Sequence, residues 1–260
     1  MDLITVRELR VPRTRDDLVF APGERPLGGG TWLYSEPQPG LVGLVDLMAL
    51  GWPPLTVTDD GLEIAATCTL AQLLAFDAPA EWTAWPLVEK CVNSLLASFK
   101  IFNLATVGGN ICTSLPAGSL TALLVGLGGT AQLWGAPDRS VKVVDFVTGD
   151  RTNVLAHGEV LRSLHIPLAS LTARTGFRRI ALSPLGRTGT LVTGRATTQG
   201  VVVGITGGTL RPHEGLDGLD GLDGLDHRRV DDWFTDAHGS ADWRRAMTLR
   251  FITEIVEELS

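Results

Sequence analysis

The sequence predicts an α+β protein built from a small βαβ lobe, a larger lobe around a mixed or antiparallel sheet, and a smaller α+β lobe at the C-terminus. Its 260 residues, 44% of them hydrophobic, suffice for a sizeable core. Short β-branched runs separated by Gly, Pro and Asp turns indicate strands through the middle of the chain. An apolar residue at every fourth position predicts a terminal helix, with Trp243, Met247, Phe251, Ile255 and Leu259 on its buried face.

The first lobe is expected to cover residues 1–52. Residues 4–8 and 41–47 are apolar enough for strands, and residues 13–19 for a short helical piece. A glycine-rich turn lies between them. The sequence Trp52-Pro53-Pro54 interrupts any regular element, which places the boundary at residue 52.

The second lobe is expected to cover residues 53–168 and to begin with a hairpin, because Asp60-Gly61 favours a tight turn between strands 55–58 and 62–66. Thr69 and Gln72 have the spacing of a capping box, which predicts a helix over 70–76.

A longer helix is expected to start at Pro86, which suits a first helical turn, and to keep its apolar face as far as Phe99. Ser119 is expected to cap a helix over 120–127. The strands that follow in this lobe are predicted at 130–134, 141–144 and 160–166.

The third lobe is expected to cover residues 169–260, with strands at 177–182, 191–193 and 201–206 ahead of the terminal helix. Between them the tripeptide Gly-Leu-Asp occurs four times, at 215–226. A period of three fits neither a helix nor a strand, so the repeat is interpreted as a flexible loop or linker.

Two glycine clusters, Gly28-Gly29-Gly30-Thr31 and Thr106-Val107-Gly108-Gly109-Asn110, carry the functional signal. Glycines let bare backbone approach a ligand and turn consecutive N–H groups toward one anion. The Thr31 and Thr106 hydroxyls and the Asn110 amide add donors. Either cluster alone is equally well a tight turn. Together they predict a nucleotide-type cofactor.

Bulk properties narrow the function further. A formal charge of −7 argues against a nucleic-acid backbone as the main ligand. No long apolar window or secretory leader is evident, so a cytoplasmic protein without a membrane span is expected. Three scattered cysteines cannot ligate a four-cysteine iron–sulfur cluster, and the histidines lack metal-binding spacing, so no metal is assigned.

The stretch from Ala105 to Cys112, followed by Ser114-Leu115-Pro116-Ala117-Gly118-Ser119, resembles the flavin-binding signature of the molybdenum hydroxylase family. Residues 27–33 resemble its earlier Ala-Gly-Gly-Thr-type turn. The likeness continues through Asp145-Phe146-Val147-Thr148-Gly149 and Glu159-Val160-Leu161 and covers most of the chain. The xanthine dehydrogenase and carbon monoxide dehydrogenase group carries these turns, in this order, in an FAD-binding medium subunit or domain.

The resemblance implies that residues 27–33 and 106–110 wrap the FAD pyrophosphate, that Ser114 lies near the adenosine and that Leu161 contacts the isoalloxazine ring through its backbone. Phe177 and Arg179 are implied beside the flavin. The implied cofactor-binding residues are Leu27, Gly28, Gly29, Gly30, Thr31, Trp32, Leu33, Thr106, Gly108, Gly109, Asn110, Ser114, Ser119, Leu161, Phe177 and Arg179. Trp32 and Ser119 stand where relatives commonly carry acidic residues, which puts the contacts at these two positions in doubt.

The function that the resemblance implies is an FAD-binding electron-transfer subunit of a heterotrimeric molybdenum hydroxylase. Electrons would pass from iron–sulfur clusters in a small partner subunit, through the flavin, to an external acceptor. Substrate oxidation would take place in a large molybdenum-cofactor subunit, so no catalytic residue is assigned to this chain. The alternatives are a stand-alone flavin oxidoreductase, a nucleotide-binding module that has lost flavin, and a purely structural docking protein.

Overall fold

The computed structural model describes residues 3–217 and 230–260. The N-terminal lobe holds a three-stranded parallel sheet in the order β1-β3-β2, with β1 at Glu8–Arg10, β2 at Glu24–Leu27 and β3 at Gly43–Asp46. The short helical piece expected at 13–19 is a 3-10 turn at Arg15–Asp17, which lies in the link between β1 and β2. The sequence analysis did not predict β2, the strand that immediately precedes the first glycine cluster.

The middle lobe is built on a five-stranded antiparallel sheet in the order β4-β5-β10-β6-β7. The predicted hairpin is confirmed. The five strands are β4 at Leu55–Thr58, β5 at Gly61–Ala65, β6 at Thr130–Trp134, β7 at Arg139–Lys142 and β10 at Val160–Pro167. Between β7 and β10 in the sequence, β8 at Val147–Gly149 and β9 at Thr152–Asn153 form a separate two-stranded antiparallel ribbon.

Short helices cover the middle sheet and bury its apolar face. They are α1 at Leu70–Leu74, α2 at Pro86–Asn93, α3 at Phe99–Leu104, α4 at Val107–Thr113, α5 at Ser119–Gly126, α6 at Val143–Phe146 and α7 at Leu168–Leu171. The capping box that opens α1 is present, since Gln72 N donates to Thr69 Oγ1 at 3.1 Å and Thr69 N donates to Gln72 Oε1 at 2.9 Å.

Several helix predictions need correction. The helix from Pro86 stops at Asn93 because Leu96 adopts a left-handed φ of 52°, and Phe99 is 71% exposed at the start of a separate helix. The strand predicted at 141–144 ends at Lys142 and continues as α6. Gly118, rather than Ser119, occupies the N-cap of α5, and the buried Ser119 hydroxyl has no hydrogen-bond partner among the described residues.

The C-terminal lobe is a four-stranded antiparallel sheet covered on one face by helix α8, Ala241–Leu259. Its strands are β11 at Thr175–Ile180, β12 at Thr190–Thr197, β13 at Gly200–Thr206 and β14 at His213–Asp217. The predicted stripe on α8 is confirmed, since Phe251, Ile255 and Leu259 are buried against the sheet. The first Gly-Leu-Asp unit belongs to β14, and the prediction for the other three lies outside the described residues.

Helix α5 connects the middle and C-terminal lobes, because all eight of its residues are buried between them. It packs on α2 on one side and on β12 and β13 on the other. The approach to the sheet is close: a Cβ added at Gly126 would lie 2.5 Å from Thr193 Oγ1. A contact that fixes the start of α5 is therefore linked, through the packing of this helix, to the C-terminal sheet.

Candidate functional site

The two glycine clusters meet in space although about 75 residues separate them in the chain. A Cβ added at Gly28 would lie 2.8 Å from Thr106 Oγ1, and one added at Gly29 would overlap the carbonyl oxygen of Leu104. A side chain at either position would force the two segments apart. These glycines are therefore required by the contact between the segments themselves.

The first cluster forms a turn that begins directly after β2. Gly30 has a φ of +71°, and its carbonyl oxygen accepts from Tyr34 N at 2.9 Å. Ser35 N donates to Trp32 O at 3.0 Å. Within the described part of the chain, the amides of residues 29–33 have no protein acceptor. A run of consecutive unpaired N–H groups is suited to an anion.

The second cluster differs from the expectation that it, too, would offer main-chain amides. It begins helix α4, and its N–H groups already have acceptors: Val107 N donates to Cys68 O, Gly108 N to Ala66 O and Gly109 N to the N-cap oxygen Thr106 Oγ1 at 3.0 Å. The amide of the next residue donates to the Thr106 carbonyl. This segment therefore contributes shape and side-chain donors rather than free amides.

A cleft of about 540 Å³ opens where the two clusters meet. That volume is in the range of small-molecule sites, about 300–1,000 Å³. Its lining brings together nine of the sixteen residues proposed from the sequence, namely Gly28, Gly29, Gly30, Thr31, Trp32, Leu33, Thr106, Gly109 and Asn110. Apolar walls are added by residues such as Leu95, Ile101 and Leu115.

Two side chains of the second cluster can donate into the cleft. Thr106 Oγ1 accepts from Gly109 N, which leaves its own O–H available. Asn110 Oδ1 accepts from Leu120 N at 3.1 Å and so satisfies a first-turn amide of α5, which leaves the Asn110 amino group for the cleft. The Asn110 side chain thus joins the cleft to helix α5.

The charged side chains among the described lining residues are Arg25, Arg151 and Glu36, which give the cleft a formal charge of +1 in a chain of charge −7. Arg151 comes from the β8–β9 turn and reaches across the cleft. Its Nη1 lies 3.3 Å from Glu36 Oε2, and its guanidinium lies 5.2 Å from the centre of the Trp32 ring. The sequence analysis missed all three charged residues, because nothing local to their positions indicates the cleft.

The remaining proposed residues do not line the cleft. Leu27 is buried beneath the first turn, and Gly108 packs against Ala66. The fully buried Ser114 hydroxyl donates to Ile111 O and accepts from Asn153 Nδ2 at 3.1 Å. Ser119 and Leu161 are also buried, Phe177 packs against the main core, and Arg179 donates to Thr188 Oγ1 and Gly186 O.

A second cleft of about 220 Å³ adjoins the first and shares Leu115, Ala117 and Arg151 with it. Its other wall belongs to the C-terminal lobe, where the buried Arg244 donates to the carbonyl oxygen of Gly189 at 2.8 Å and pairs with Asp236. The loop 115–118 thus separates two neighbouring depressions at the junction of the lobes.

Among the lining residues that the structure describes, no activated nucleophile and no cluster of metal ligands is found. Burial raises the pKa of Cys112, the cysteine that lines the cleft, to about 12, so its thiol stays protonated near neutral pH. No cluster of three or more His, Cys, Asp or Glu side chains suited to a metal occurs in residues 3–217 and 230–260. Over the same ranges, no helix is long and apolar enough to cross a membrane.

Residues 14–169 match the family model described as the FAD binding domain in molybdopterin dehydrogenase. Among curated proteins, xanthine dehydrogenase of Oryza sativa subsp. japonica is 31% identical over 121 residues, 44% of this chain and 9% of that protein. Xanthine dehydrogenase/oxidase of Gallus gallus is 29% identical over 133 residues, 46% of this chain and 10% of that protein. The matched segment is therefore about a tenth of the length of these relatives.

Solved structures resemble the whole chain. A chain of reconstituted CO dehydrogenase from Oligotropha carboxidovorans superposes with a TM-score of 0.83 at 21% identity, covering 100% of this chain and 99% of that one. A chain of quinoline 2-oxidoreductase from Pseudomonas putida 86 gives a TM-score of 0.79 at 21% identity with the same coverage. These likenesses confirm the α+β fold class.

Proposed function

This chain belongs to the family of FAD-binding domains in molybdopterin dehydrogenase, and from that premise we propose that it is the FAD-carrying electron-transfer subunit of a multi-subunit molybdenum hydroxylase. One observation supports the proposal above the others: two glycine clusters far apart in the chain line a single cleft. A cleft of that kind suits the diphosphate of a dinucleotide, which presents anionic oxygens over several ångströms.

The residues present fit FAD. The unpaired amides of residues 29–33 provide donors on one side of the cleft, and Thr106 Oγ1 and the Asn110 amino group provide them on the other. Arg25 and Arg151 give the lining its excess positive charge. Hydrogen bonds from such groups to charged oxygens are stronger than those between neutral groups.

When bound, FAD supplies the redox chemistry, and the protein supplies binding and orientation. In this proposal the first turn and Thr106 hold the diphosphate, and the apolar side chains of Leu33, Leu95 and Leu115 keep water from the flanking parts of the cofactor. Because burial raises the pKa of Cys112, its thiol in the cleft lining stays protonated and therefore unreactive. Leu161, Phe177 and Arg179 remain proposed neighbours of the flavin ring.

The partners follow from the same proposal. We assign the iron–sulfur clusters to a small partner subunit and substrate oxidation to a large molybdenum-cofactor subunit, with transfer from the flavin to an external acceptor. The structural neighbours, a CO dehydrogenase and a quinoline 2-oxidoreductase, support a role in the oxidation of a small molecule. A cytoplasmic location remains a prediction of the sequence.

The test is to purify the chain and record its visible spectrum, then to express it with its neighbouring genes and identify the chains that co-purify. A yellow protein with little turnover alone, which assembles with iron–sulfur and molybdenum chains, agrees with the proposal. Turnover of an organic substrate by the isolated yellow chain points instead to a stand-alone flavin oxidoreductase. A colourless protein that does not take up added FAD points to a nucleotide-binding module without flavin.

A further inference from the structure

Arg151 is held rigidly at its backbone but loosely at its side chain. It lies in the tight turn between β8 and β9 with a left-handed φ of 56°, and its amide donates to Ser114 O at 2.8 Å. A non-glycine residue rarely adopts this conformation unless its surroundings enforce it. The turn therefore fixes the Cα of Arg151 at the rim of the cleft and aims its long side chain over the opening.

The partners of the Arg151 guanidinium are weak ones. The pair with Glu36 is 3.3 Å long, and the side chains of Arg151 and Glu36 are 56% and 37% exposed. The Trp32 ring beneath adds a cation–π contact at 5.2 Å. Ion pairs this exposed contribute little to stability, because water solvates both charges well. The Arg151 guanidinium can therefore leave Glu36 for a more strongly charged anion at little cost in free energy.

We propose that Arg151 is a phosphate-binding residue that Glu36 holds across the cleft when no cofactor is bound and releases to the cofactor diphosphate. The inference rests on the proposed function, since it takes the diphosphate of FAD as the competing anion. A guanidinium bonds phosphate oxygens through two parallel N–H groups, and the diphosphate carries more charge than one carboxylate. The Arg151–Glu36 pair then acts as a competitor of the ligand rather than as a support for it.

This role predicts opposite effects from the two partners of one ion pair. Removing the guanidinium takes a donor from the diphosphate, whereas removing the Glu36 charge takes away only its rival. If the ion pair only holds the N-terminal lobe against the β8–β9 turn, removing either the guanidinium or the carboxylate should weaken cofactor binding to the same extent. The sign of the Glu36 effect therefore separates the two roles.

The experiment measures the Kd of FAD by fluorescence quenching on the full chain stripped of cofactor, for Arg151→Gln, Glu36→Gln, the double variant and Arg245→Gln. Arg245 is an exposed arginine on α8 that lines neither cleft, and it controls for the loss of one positive charge. Binding of ADP by calorimetry provides a second readout, because ADP carries the diphosphate without a flavin.

We expect Arg151→Gln to weaken FAD and ADP about tenfold, the effect of losing one charge-assisted hydrogen bond. Glu36→Gln is expected to tighten both by about two- to fivefold, the range for a half-exposed ion pair. The double variant should match Arg151→Gln, and Arg245→Gln should match the parent. Melting temperatures of all four variants check that each is folded.

The inference is overturned if Glu36→Gln weakens binding or leaves it unchanged while the variant is folded, or if Arg151→Gln binds ADP like the parent. Failure of the proposed function looks different, because the parent chain itself would then not take up FAD, whether or not it binds ADP. Arg151→Lys gives a final check: a lysine keeps the charge without the paired N–H geometry and should restore only part of the lost affinity.

Discussion

Replacing Gly109 with alanine should weaken FAD binding while leaving the fold intact. Gly109 lies in the first turn of α4 and lines the cleft, and a Cβ there would meet one protein atom within 4 Å, Thr106 Oγ1 at 2.9 Å. The new methyl group therefore projects into the space proposed for the diphosphate. It also pushes on the Thr106 hydroxyl, one of the donors proposed for the cofactor.

The size of the effect follows from these contacts. Losing one hydrogen bond to a charged oxygen costs about 1.5–3 kcal/mol, which corresponds to roughly a 10- to 150-fold increase in Kd. Stability should change little, because alanine in place of a helical glycine gains about 0.5–1 kcal/mol, while disturbing the Thr106 N-cap costs about 0.5–2 kcal/mol. Gly109→Val, with two more methyl groups in the cleft, should abolish flavin retention.

The assay is the Kd of FAD by fluorescence titration, combined with thermal unfolding of the protein without cofactor. Gly186→Ala is the matched control, since a Cβ there meets the Ser183 hydroxyl oxygen at 2.8 Å but lies outside the cleft. Full flavin occupancy in Gly109→Val would refute the placement of the diphosphate. Equal losses of affinity in Gly109→Ala and Gly186→Ala would show that the effect is one of general destabilisation.

Three further predictions follow. Asn110→Ala should lower the melting temperature because the first turn of α5 loses its acceptor, and Asn110→Asp should restore it; a melt of each variant decides. Cys68 and Cys112, whose pKa burial raises to about 12, should resist iodoacetamide at pH 8 until the protein is unfolded, and rapid labelling of the native protein would contradict this. The hydrogen bond from Arg139 lowers the pKa of Glu159 from 4.5 to about 2. The difference in unfolding free energy between the parent and Glu159→Gln should therefore be fully present above pH 4.5 and should disappear as the pH falls toward 2. Urea titrations of both proteins at several pH values measure this difference.

Local patterns carried much of the fold. The Asp60-Gly61 hairpin, the Thr69 capping box and the apolar stripe of α8 each depend on residues near one another in the chain, and each is present. The helix predicted to run through Phe99 failed because apolar spacing alone does not reveal a left-handed residue at Leu96. The position of such a break is set by the tertiary contacts on either side of it.

The candidate site was likewise predicted from the sequence only in part. The glycine clusters were recognised because two of them occur in one chain, but the hydrogen bonds that already occupy the second cluster's amides could not be predicted. Two of those amides bond to the carbonyl oxygens of Ala66 and Cys68, which lie in the segment just after β5, far from the cluster in the chain. The Arg151–Glu36 pair joins residues more than a hundred positions apart, and no local pattern marks a contact of that kind.

The side chain of Asn110 has a consequence that extends beyond the cleft. Its oxygen holds the first turn of a helix whose far side presses on the C-terminal sheet, while its nitrogen is free to meet a ligand. A cofactor that fixes this amide therefore also stabilises the packing of α5 against strands β12 and β13. Slower hydrogen exchange in β12 and β13 should therefore accompany loading with FAD, although neither strand lines the cleft.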